Sequence, residues 1–119
     1  IFLGVQKGDT EKDADFLVNK ISGLRIFSDE NDKMNLSIKD VDGSALVISQ
    51  FTLCSDTKKG RRPSFIKAAP PEDGNRLYEY FMSEMKKEGV PVQSGEFGAM
   101  MDVELVNDGP VTFVLNSKD

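Results

Sequence analysis

The sequence predicts an α+β domain in which a mixed, curled or barrel-like β-sheet carries two helices. Two segments place apolar residues at helical spacing, which predicts two amphipathic helices. Between them, SALVISQFTL is a continuous apolar and β-branched run, typical of a strand buried in the centre of a sheet. The other apolar segments are short and bounded by turn residues. We therefore predict about seven strands, in one domain that spans residues 1–119.

The first third of the chain is predicted to form a strand, a helix and two further strands. IFLGVQ is a buried strand, and the turn KGD follows it. Thr10 is the predicted N-cap of the first helix, with Asp13 three residues on, and we expect the helix to end near Gly23. LRIF and MNLSI are short strands on either side of the polar turn SDENDK. The apolar face of the helix consists of Ala14, Leu17, Val18 and Ile21.

The central strand SALVISQFTL ends in polar residues, and a loop over residues 54–70 follows it. Pro71 suits the first turn of the second helix, and Gly89 is its expected C-terminal stop. The last third contains VPVQSGEF, MMDVELVND and VTFVLNS, which we predict to be three strands separated by glycine-containing turns. The second helix repeats apolar residues that we expect in the core rather than around a ligand: Leu77, Tyr78, Phe81, Met82 and Met85.

The chain begins at Ile1, inside an apolar run and without a methionine. We therefore expect an N-terminal segment to precede this sequence, and a first strand or a targeting signal would lie in it. No window of the sequence approaches the ~20 apolar residues that a membrane helix requires.

The composition excludes several kinds of site. The chain has no histidine and one cysteine, Cys54, so it offers neither a common zinc site nor a nucleophile activated by histidine. One cysteine cannot form an internal disulfide, which favours a reducing compartment. No glycine-rich phosphate loop or dinucleotide fingerprint is present. We predict no metal and no cofactor, and any proton transfer must use carboxylates, lysine, backbone, water or the substrate.

Polar residues at the end of the central strand form the first candidate site. Ser49, Gln50 and Thr52 supply two hydroxyls and an amide, which together can hold a carbonyl, a ribose or a phosphate. Neither hydroxyl is a competent nucleophile without a base. Taken alone, the same residues are also explained as groups that satisfy the end of their own strand.

A basic cluster around Gly60 forms the second candidate site. The chain as a whole carries a net charge of −5, so this cluster is a local exception. It predicts contact with a phosphate-bearing ligand, although a solvated loop explains an isolated cluster equally well. The four cations are Lys58, Lys59, Arg61 and Arg62.

The third candidate is the Gly109–Pro110 pair within NDGPVT, residues 107–112. Proline removes a donor from a strand, so its position between two predicted strands is unusual. The pair is either an ordinary β-turn without function or a tight turn with a cis bond, which marks a specific geometry.

Taken together, LVISQFTL, TKKGRRPSF, AAPPE, FGAMM and VNDGPVT resemble the D-aminoacyl-tRNA deacylase family, also called the D-tyrosyl-tRNA deacylases. The likeness extends from FLGVQKGDTEKDA to GPVT, which is nearly the entire chain. SQFTL with a downstream NDGPVT is the most specific part of it. Family members normally begin with a further β-hairpin, so the resemblance implies that this domain lacks one.

The resemblance implies a cytosolic homodimer that hydrolyses the ester between a D-amino acid and the terminal adenosine of tRNA. It also implies removal of glycine from mischarged tRNA and rejection of L-aminoacyl-tRNA. The basic cluster would then contact phosphates of the tRNA acceptor end. The implied catalytic motif consists of Ser49, Gln50, Phe51 and Thr52.

The resemblance assigns the Gly-cis-Pro motif of the family to Gly109 and Pro110. This motif is expected to reach into the active site of the partner subunit, where backbone carbonyls leave no room for an L side chain. A clash excludes the wrong enantiomer, whereas a missing contact costs only ~1–3 kcal/mol. The other implied substrate-binding residues are Met101, Asn107 and Thr112.

Two mechanisms have been argued for the family. In one, Thr52 is the nucleophile. In the other, the 2′-hydroxyl of the terminal ribose assists water, and backbone amides near Gln50 and Phe51 stabilise the oxyanion. We favour the second, because nothing in the sequence can obviously deprotonate Thr52.

A competing hypothesis places the chain in a nucleic-acid-binding branch of the family linked to replication-origin DNA, with little or no deacylase activity. Members of that branch usually carry an extra C-terminal tail. None is visible after NSKD. A related deacylase branch departs from the serine-glutamine pattern, so the SQ pair favours the D-specific type.

Overall fold

The computed structural model describes residues 1–119 and contains two α-helices and five short strands. The predicted α+β class with two helices is confirmed. Neither helix has the length and hydrophobicity that a membrane span requires. The strands are β1 (Phe2–Leu3), β2 (Phe27–Ser28), β3 (Met34–Leu36), β4 (Ala45–Ser49) and β5 (Val92–Ser94). The helices are α1 (Glu11–Gly23) and α2 (Pro71–Lys87), and a short 3-10 helix spans Phe51–Cys54.

β4 is the central strand of a parallel three-stranded sheet with the order β1–β4–β5. Phe2 pairs with Ile48 on one side, and Ala45 pairs with Val92 on the other. Val47, in the middle of the strand, has no exposed surface (0%). The central position predicted for this apolar run is confirmed for Ala45–Ser49, because neighbours occupy both edges of the strand. The predicted strand is wrong beyond Ser49, since Phe51–Cys54 form a 3-10 helix. The carboxyl end of β4 is held beside the end of β1.

α1 begins and ends where the sequence predicts. Thr10 precedes the helix, and its backbone N–H donates a hydrogen bond of 2.9 Å to Oδ2 of Asp13. This is the reach-back contact expected of an acidic residue three positions after the N-cap. The helix ends at Gly23. The predicted apolar face lies in or against the core: Ala14, Leu17, Val18 and Ile21.

α2 contributes most of the core. Pro71 occupies its first position, and Gly89 follows its end with φ +88°, a left-handed conformation that glycine adopts without steric cost. The hydroxyl of Tyr78 donates a hydrogen bond of 2.8 Å to the carbonyl oxygen of Val47, which attaches α2 to β4. The predicted core residues of this helix are all buried: Leu77, Tyr78, Phe81, Met82 and Met85.

β2 and β3 form a separate antiparallel pair around the predicted polar turn. Oδ1 of Asp29 accepts hydrogen bonds from the backbone N–H groups of Asn31 (2.8 Å) and Lys33 (3.0 Å). Asp32 adopts φ 58°, a left-handed conformation that Asp tolerates better than most residues. Local polar contacts therefore shape this turn.

The C-terminal third departs from the prediction. VPVQSGEF contains a strand, β5, but neither MMDVELVND nor VTFVLNS forms one, so five strands are present rather than seven. No hydrogen bond between two backbone groups involves residues 101–115. Val106 and Val114 are 93% and 94% exposed. The apolar and β-branched composition of these segments suits a sheet, but a strand also needs a neighbouring backbone to accept and donate its hydrogen bonds.

The end of the C-terminal segment is attached to the start of α1. Nζ of Lys118 lies 2.6 Å from Oδ1 of Asp13 and 3.5 Å from Oδ1 of Asp9. The hydrogen bond from Lys118, followed by that from the backbone of Thr10, lowers the pKa of Asp13 to about 2, so the carboxylate is ionised at neutral pH. An apolar groove of about 590 Å³ lies between β1, α1 and residues 111–118.

Candidate active site

The SQFT motif lies where β4 ends and the chain enters the 3-10 helix. Ser49 is the last residue of the strand, and Phe51 is the first residue of the helix. The backbone N–H of Gln50 donates to the carbonyl oxygen of Leu3 over 2.9 Å, and the N–H of Leu53 donates to the carbonyl oxygen of Gln50 over 3.2 Å. The four motif residues therefore share one short turn that is fixed to β1.

Two side chains of the motif are hydrogen bonded to each other. Nε2 of Gln50 donates to Oγ1 of Thr52 over 2.6 Å. Thr52 is exposed and Ser49 is partly exposed, so a substrate can reach both hydroxyls. The Thr52 hydroxyl accepts a hydrogen bond, and no group in the structure accepts a hydrogen bond from it. The arrangement can orient an ester, but it provides no general base for Thr52.

Gly4 allows the motif to approach β1 closely. A Cβ atom at Gly4 would lie 3.0 Å from Cβ of Leu53, 3.2 Å from Sγ of Cys54 and 3.3 Å from the carbonyl oxygen of Gln50. Burial, with a smaller effect from the charge of Asp9, raises the pKa of the Cys54 thiol, so this thiol is protonated at neutral pH. Gly4 is absent from the predicted site residues, although a glycine within an apolar strand signals a close backbone approach.

The predicted phosphate contacts lie on an exposed loop with a closed base. Asp56 and Ser64 exchange two backbone hydrogen bonds of 2.7 and 2.9 Å, and these join the two ends of the loop. The carboxylate of Asp56 lies 3.8 Å from Nζ of Lys67. None of the four loop cations forms an ion pair, so their charges are available to an anion. These exposed cations are Lys58, Lys59, Arg61 and Arg62.

The Gly109–Pro110 turn has a cis peptide bond, one of the two geometries left open by the residue pattern. Across it, Nδ2 of Asn107 donates to Oγ1 of Thr112 over 3.1 Å, and the Thr112 hydroxyl donates to the carbonyl oxygen of Val111 over 2.9 Å. The turn is exposed, and no hydrogen bond connects it to the SQFT motif of the same chain. The expected association of the two motifs therefore stays a prediction.

Met101 packs beside the end of β4. A Cβ atom at Gly95 would lie 2.5 Å from Sδ of Met101 and 3.3 Å from Cδ1 of Ile48, so Met101 and Ile48 flank the same glycine. Ile48 immediately precedes Ser49 in the strand. Met101 therefore lies close to the strand that carries the motif, and its role in substrate binding stays a prediction.

An aromatic pair links the SQFT motif to the base of the basic loop. The ring centroids of Phe51 and Phe65 lie 5.1 Å apart in an edge-to-face arrangement with an interplanar angle of 69°. Phe65 directly follows Ser64, which closes the loop. Phe65 is absent from the predicted site residues. The signal in the sequence is an aromatic residue placed just after a run of cations, in RRPSF.

Comparison with known proteins shows the relatives of this chain. A family model described as D-Tyr-tRNA(Tyr) deacylase matches residues 1–116. The chain is 56% identical over 117 residues to a D-aminoacyl-tRNA deacylase of Thermotoga petrophila, covering 98% of this chain and 78% of the relative. It is 56% identical over 118 residues to a D-aminoacyl-tRNA deacylase of Geobacter sulfurreducens, covering 99% and 78%. A solved structure named c-Myc DNA Unwinding Element Binding Protein superposes with a TM-score of 0.84 at 38% identity, covering 92% and 75%.

The fold and these matches first define the class: the chain is an enzyme, a hydrolase of the deacylase type with an α+β fold. The match over nearly the whole chain then defines the family. The chain belongs to the D-Tyr-tRNA(Tyr) deacylase family. The family and fold that the motifs predict are confirmed, whereas the roles of the individual site residues stay predictions.

Gly4 lies too close to the 3-10 helix to accept a side chain without a shift of its neighbours. We expect Gly4→Ala to lower the free energy of unfolding by about 1–3 kcal/mol, because the added methyl group overpacks the junction between β1 and the 3-10 helix. Gly23→Ala is the matched control, because no atom lies within 4 Å of its added Cβ. We expect that control to be neutral or stabilised by about 0.4–1 kcal/mol. Urea unfolding measures both variants, and equal stability of the two would contradict the close approach at Gly4.

Proposed function

We propose that the protein hydrolyses the ester that joins a D-amino acid to the terminal adenosine of tRNA, releasing the amino acid and the free tRNA. Membership of the deacylase family supports the type of reaction. The observation that carries the proposal for this chain is the SQFT motif, in which the hydrogen-bonded pair Gln50 and Thr52 lies accessible at the end of the central strand. Glycine mischarged on tRNA is a second substrate in this proposal, because glycine has no side chain to exclude.

In the proposed mechanism, the 2′-hydroxyl of the terminal ribose assists water in its attack on the ester carbonyl. The Thr52 hydroxyl accepts a hydrogen bond from Gln50 and donates to no base that could take its proton, which supports a positioning role rather than nucleophilic attack. The N–H of Gln50 is already donated to Leu3, so the amide of Phe51 is the better donor to the developing oxyanion. Ser49 and Gln50 would hold the ester in place. An ester is more reactive than an amide, so positioning without a strong base is sufficient for this chemistry.

We infer that rejection of L-amino acids depends on Gly109 and Pro110 of a second copy of the chain. The turn is exposed, and the hydrogen bond between Asn107 and Thr112 braces it, which supports a rigid element offered to a partner subunit. Rigid carbonyl groups placed against the α-carbon would clash with an L side chain.

A monomeric mass in sedimentation equilibrium at the assay concentration would contradict this dimeric arrangement.

The basic loop is proposed to bind phosphates of the tRNA acceptor end. Its four cations are exposed and unpaired on a protein whose net charge is −5, which supports one localised anion-binding surface. Phosphate contacts hold a nucleic acid without reading its sequence, as an enzyme acting on many tRNAs requires.

The proposal is tested by following D-Tyr-tRNA and L-Tyr-tRNA side by side with the protein as a homogeneous preparation. We expect rapid release of D-tyrosine and a rate for the L ester at least about 100-fold slower. Survival of both esters would exclude the deacylase proposal and favour nucleic-acid binding without hydrolysis. Equal loss of both would exclude chiral selection while leaving ester hydrolysis in place.

Substitution of Thr52 separates the two mechanisms. We expect Thr52→Ala to slow hydrolysis of D-Tyr-tRNA by up to about 100-fold, the cost of a misplaced ester, with residual activity well above the uncatalysed rate. Single-turnover rates of the wild type, Thr52→Ala and Thr52→Ser measure this. A tRNA that ends in 2′-deoxyadenosine should lose most of the activity with all three proteins. Complete loss in Thr52→Ala together with full activity on the 2′-deoxy substrate would establish Thr52 as the nucleophile instead.

Charge removal on the basic loop tests the phosphate contacts. We expect the double variant Arg61→Ala/Arg62→Ala to bind tRNA more weakly and to reduce the slope of log K against log salt by about 2, one for each lost contact. The matched control is Lys86→Ala/Lys87→Ala, which removes two adjacent exposed cations from the end of α2. Filter binding between low and moderate salt gives both slopes. Identical slopes in the two double variants would place the tRNA elsewhere.

A further inference from the structure

The Phe51–Phe65 pair has no part in the proposed chemistry, since only the backbone amide of Phe51 enters the mechanism. The Phe51 and Phe65 rings are nevertheless 56% and 39% exposed, and Ile66, which follows them in the chain, is 70% exposed. Contiguous apolar surface of this kind next to a polar site marks a contact with a ligand or partner. The contact must be compatible with the cations of the adjoining basic loop.

The edge-to-face geometry of the pair leaves room for a third planar group. In such a pair the edge of one ring covers a single face of the other ring. The exposure of Phe51 and Phe65 shows that part of the ring surface stays open to solvent. Aromatic side chains beside a positively charged groove are the usual means of binding unpaired nucleic acid, because every nucleobase has a face that stacks. An acidic peptide would also suit the cations, but it would not use ring faces.

The chain order places this pair between two proposed contacts with the RNA. Phe51 lies between Gln50 and Thr52, which would hold the ester of the terminal adenosine. Phe65 follows Ser64, whose hydrogen bonds to Asp56 close the basic loop. An RNA strand that runs from the ester to the cations therefore passes over the two rings before its phosphates reach the loop.

We propose that Phe51 and Phe65 form a stacking platform for the unpaired nucleobase next to the terminal adenosine of the tRNA. This inference rests on the proposed function, because the SQFT motif sets where the terminal adenosine lies. The platform supplies affinity and directs the strand toward the basic loop. It does not read sequence, because stacking accepts any base.

The test uses binding rather than hydrolysis. A non-acylated acceptor-stem minihelix carries the fluorescent base pyrrolocytosine at its penultimate position, where stacking quenches the emission. We expect wild-type protein and Phe65→Tyr to quench it, and Phe65→Leu to lose the quenching and raise Kd at least about fivefold. Phe16→Leu is the matched control, because Phe16 lies on α1 and is 40% exposed, close to the value for Phe65. It should bind as the wild type does.

Unchanged quenching and affinity in Phe65→Leu would overturn the proposal. A second minihelix, with 2-aminopurine at the terminal position, tests which base stacks on the platform. A fluorescence change in that probe alone would assign the platform to the terminal adenosine and would overturn the proposal as stated. Failure of the proposed function gives a different result from failure of the stacking platform. D-Tyr-tRNA would then remain intact in the presence of wild-type protein, whether or not the minihelix is quenched.

Steady-state kinetics separate the nucleobase from the amino acid side chain as the occupant of the platform. Phe65→Leu should raise KM equally for D-Tyr-tRNA and D-Ala-tRNA and leave kcat unchanged, because both substrates share the same RNA end. A rise confined to D-Tyr-tRNA would show that the rings hold the tyrosine side chain, and it would overturn the proposal.

Discussion

The pairing of β4 with strands on both of its edges is the constraint on which the rest of the structure depends. β1 and β5 fix its register, and the hydrogen bond from Tyr78 to Val47 fixes α2 against it. A slip of one residue would turn Val47 out of the core and expose it, so the register is strongly determined. The direction in which Ser49 and Gln50 leave the strand is determined with it. The exposed motif thus takes its rigidity from a buried core, as the positioning role proposed for it requires.

The parts of the fold that the sequence predicts correctly are those whose evidence is local. The faces of α1 and α2 follow from apolar spacing, and their ends follow from Thr10, Pro71 and Gly89, whose effects are limited to one turn of chain. The two missing strands show the limit of that evidence. Val106 and Val114 favour a pleated sheet, but pairing depends on a backbone that is distant in sequence, and no apolar pattern specifies which backbone that is.

The residues of the candidate site, like the elements of the fold, comprise some that local sequence predicts and others that only the structure reveals. Ser49, Gln50 and Thr52 are neighbours in sequence, so their grouping and the hydrogen bond between Gln50 and Thr52 follow from one short motif. Gly4 and Phe65 are separated from the motif in sequence and lie beside it only in the folded chain. Neither glycine nor phenylalanine indicates a catalytic role by its chemistry. Only the interatomic distances in the structure show that these two residues adjoin the motif. The turn at residues 107–112 is a third case, because its residues leave an ordinary β-turn and a cis bond open, and the structure has the cis bond. Its association with the motif is implied by the family resemblance alone and stays a prediction.

The motif contains no strong base, so the groups at the motif and the groups on the basic loop differ in charge and in their response to salt. Its polar groups are neutral hydroxyls and amides, which do not titrate near neutral pH, so the motif can hold and orient an ester but adds no charge to it. Charge is concentrated on the separate loop that Asp56 and Ser64 close. Exposed charges are screened by salt, whereas a register set by a buried strand is not. Under the proposed function, salt would therefore act on how tightly RNA is held and would leave the geometry of the ester in place, so affinity and positioning could vary independently in this fold.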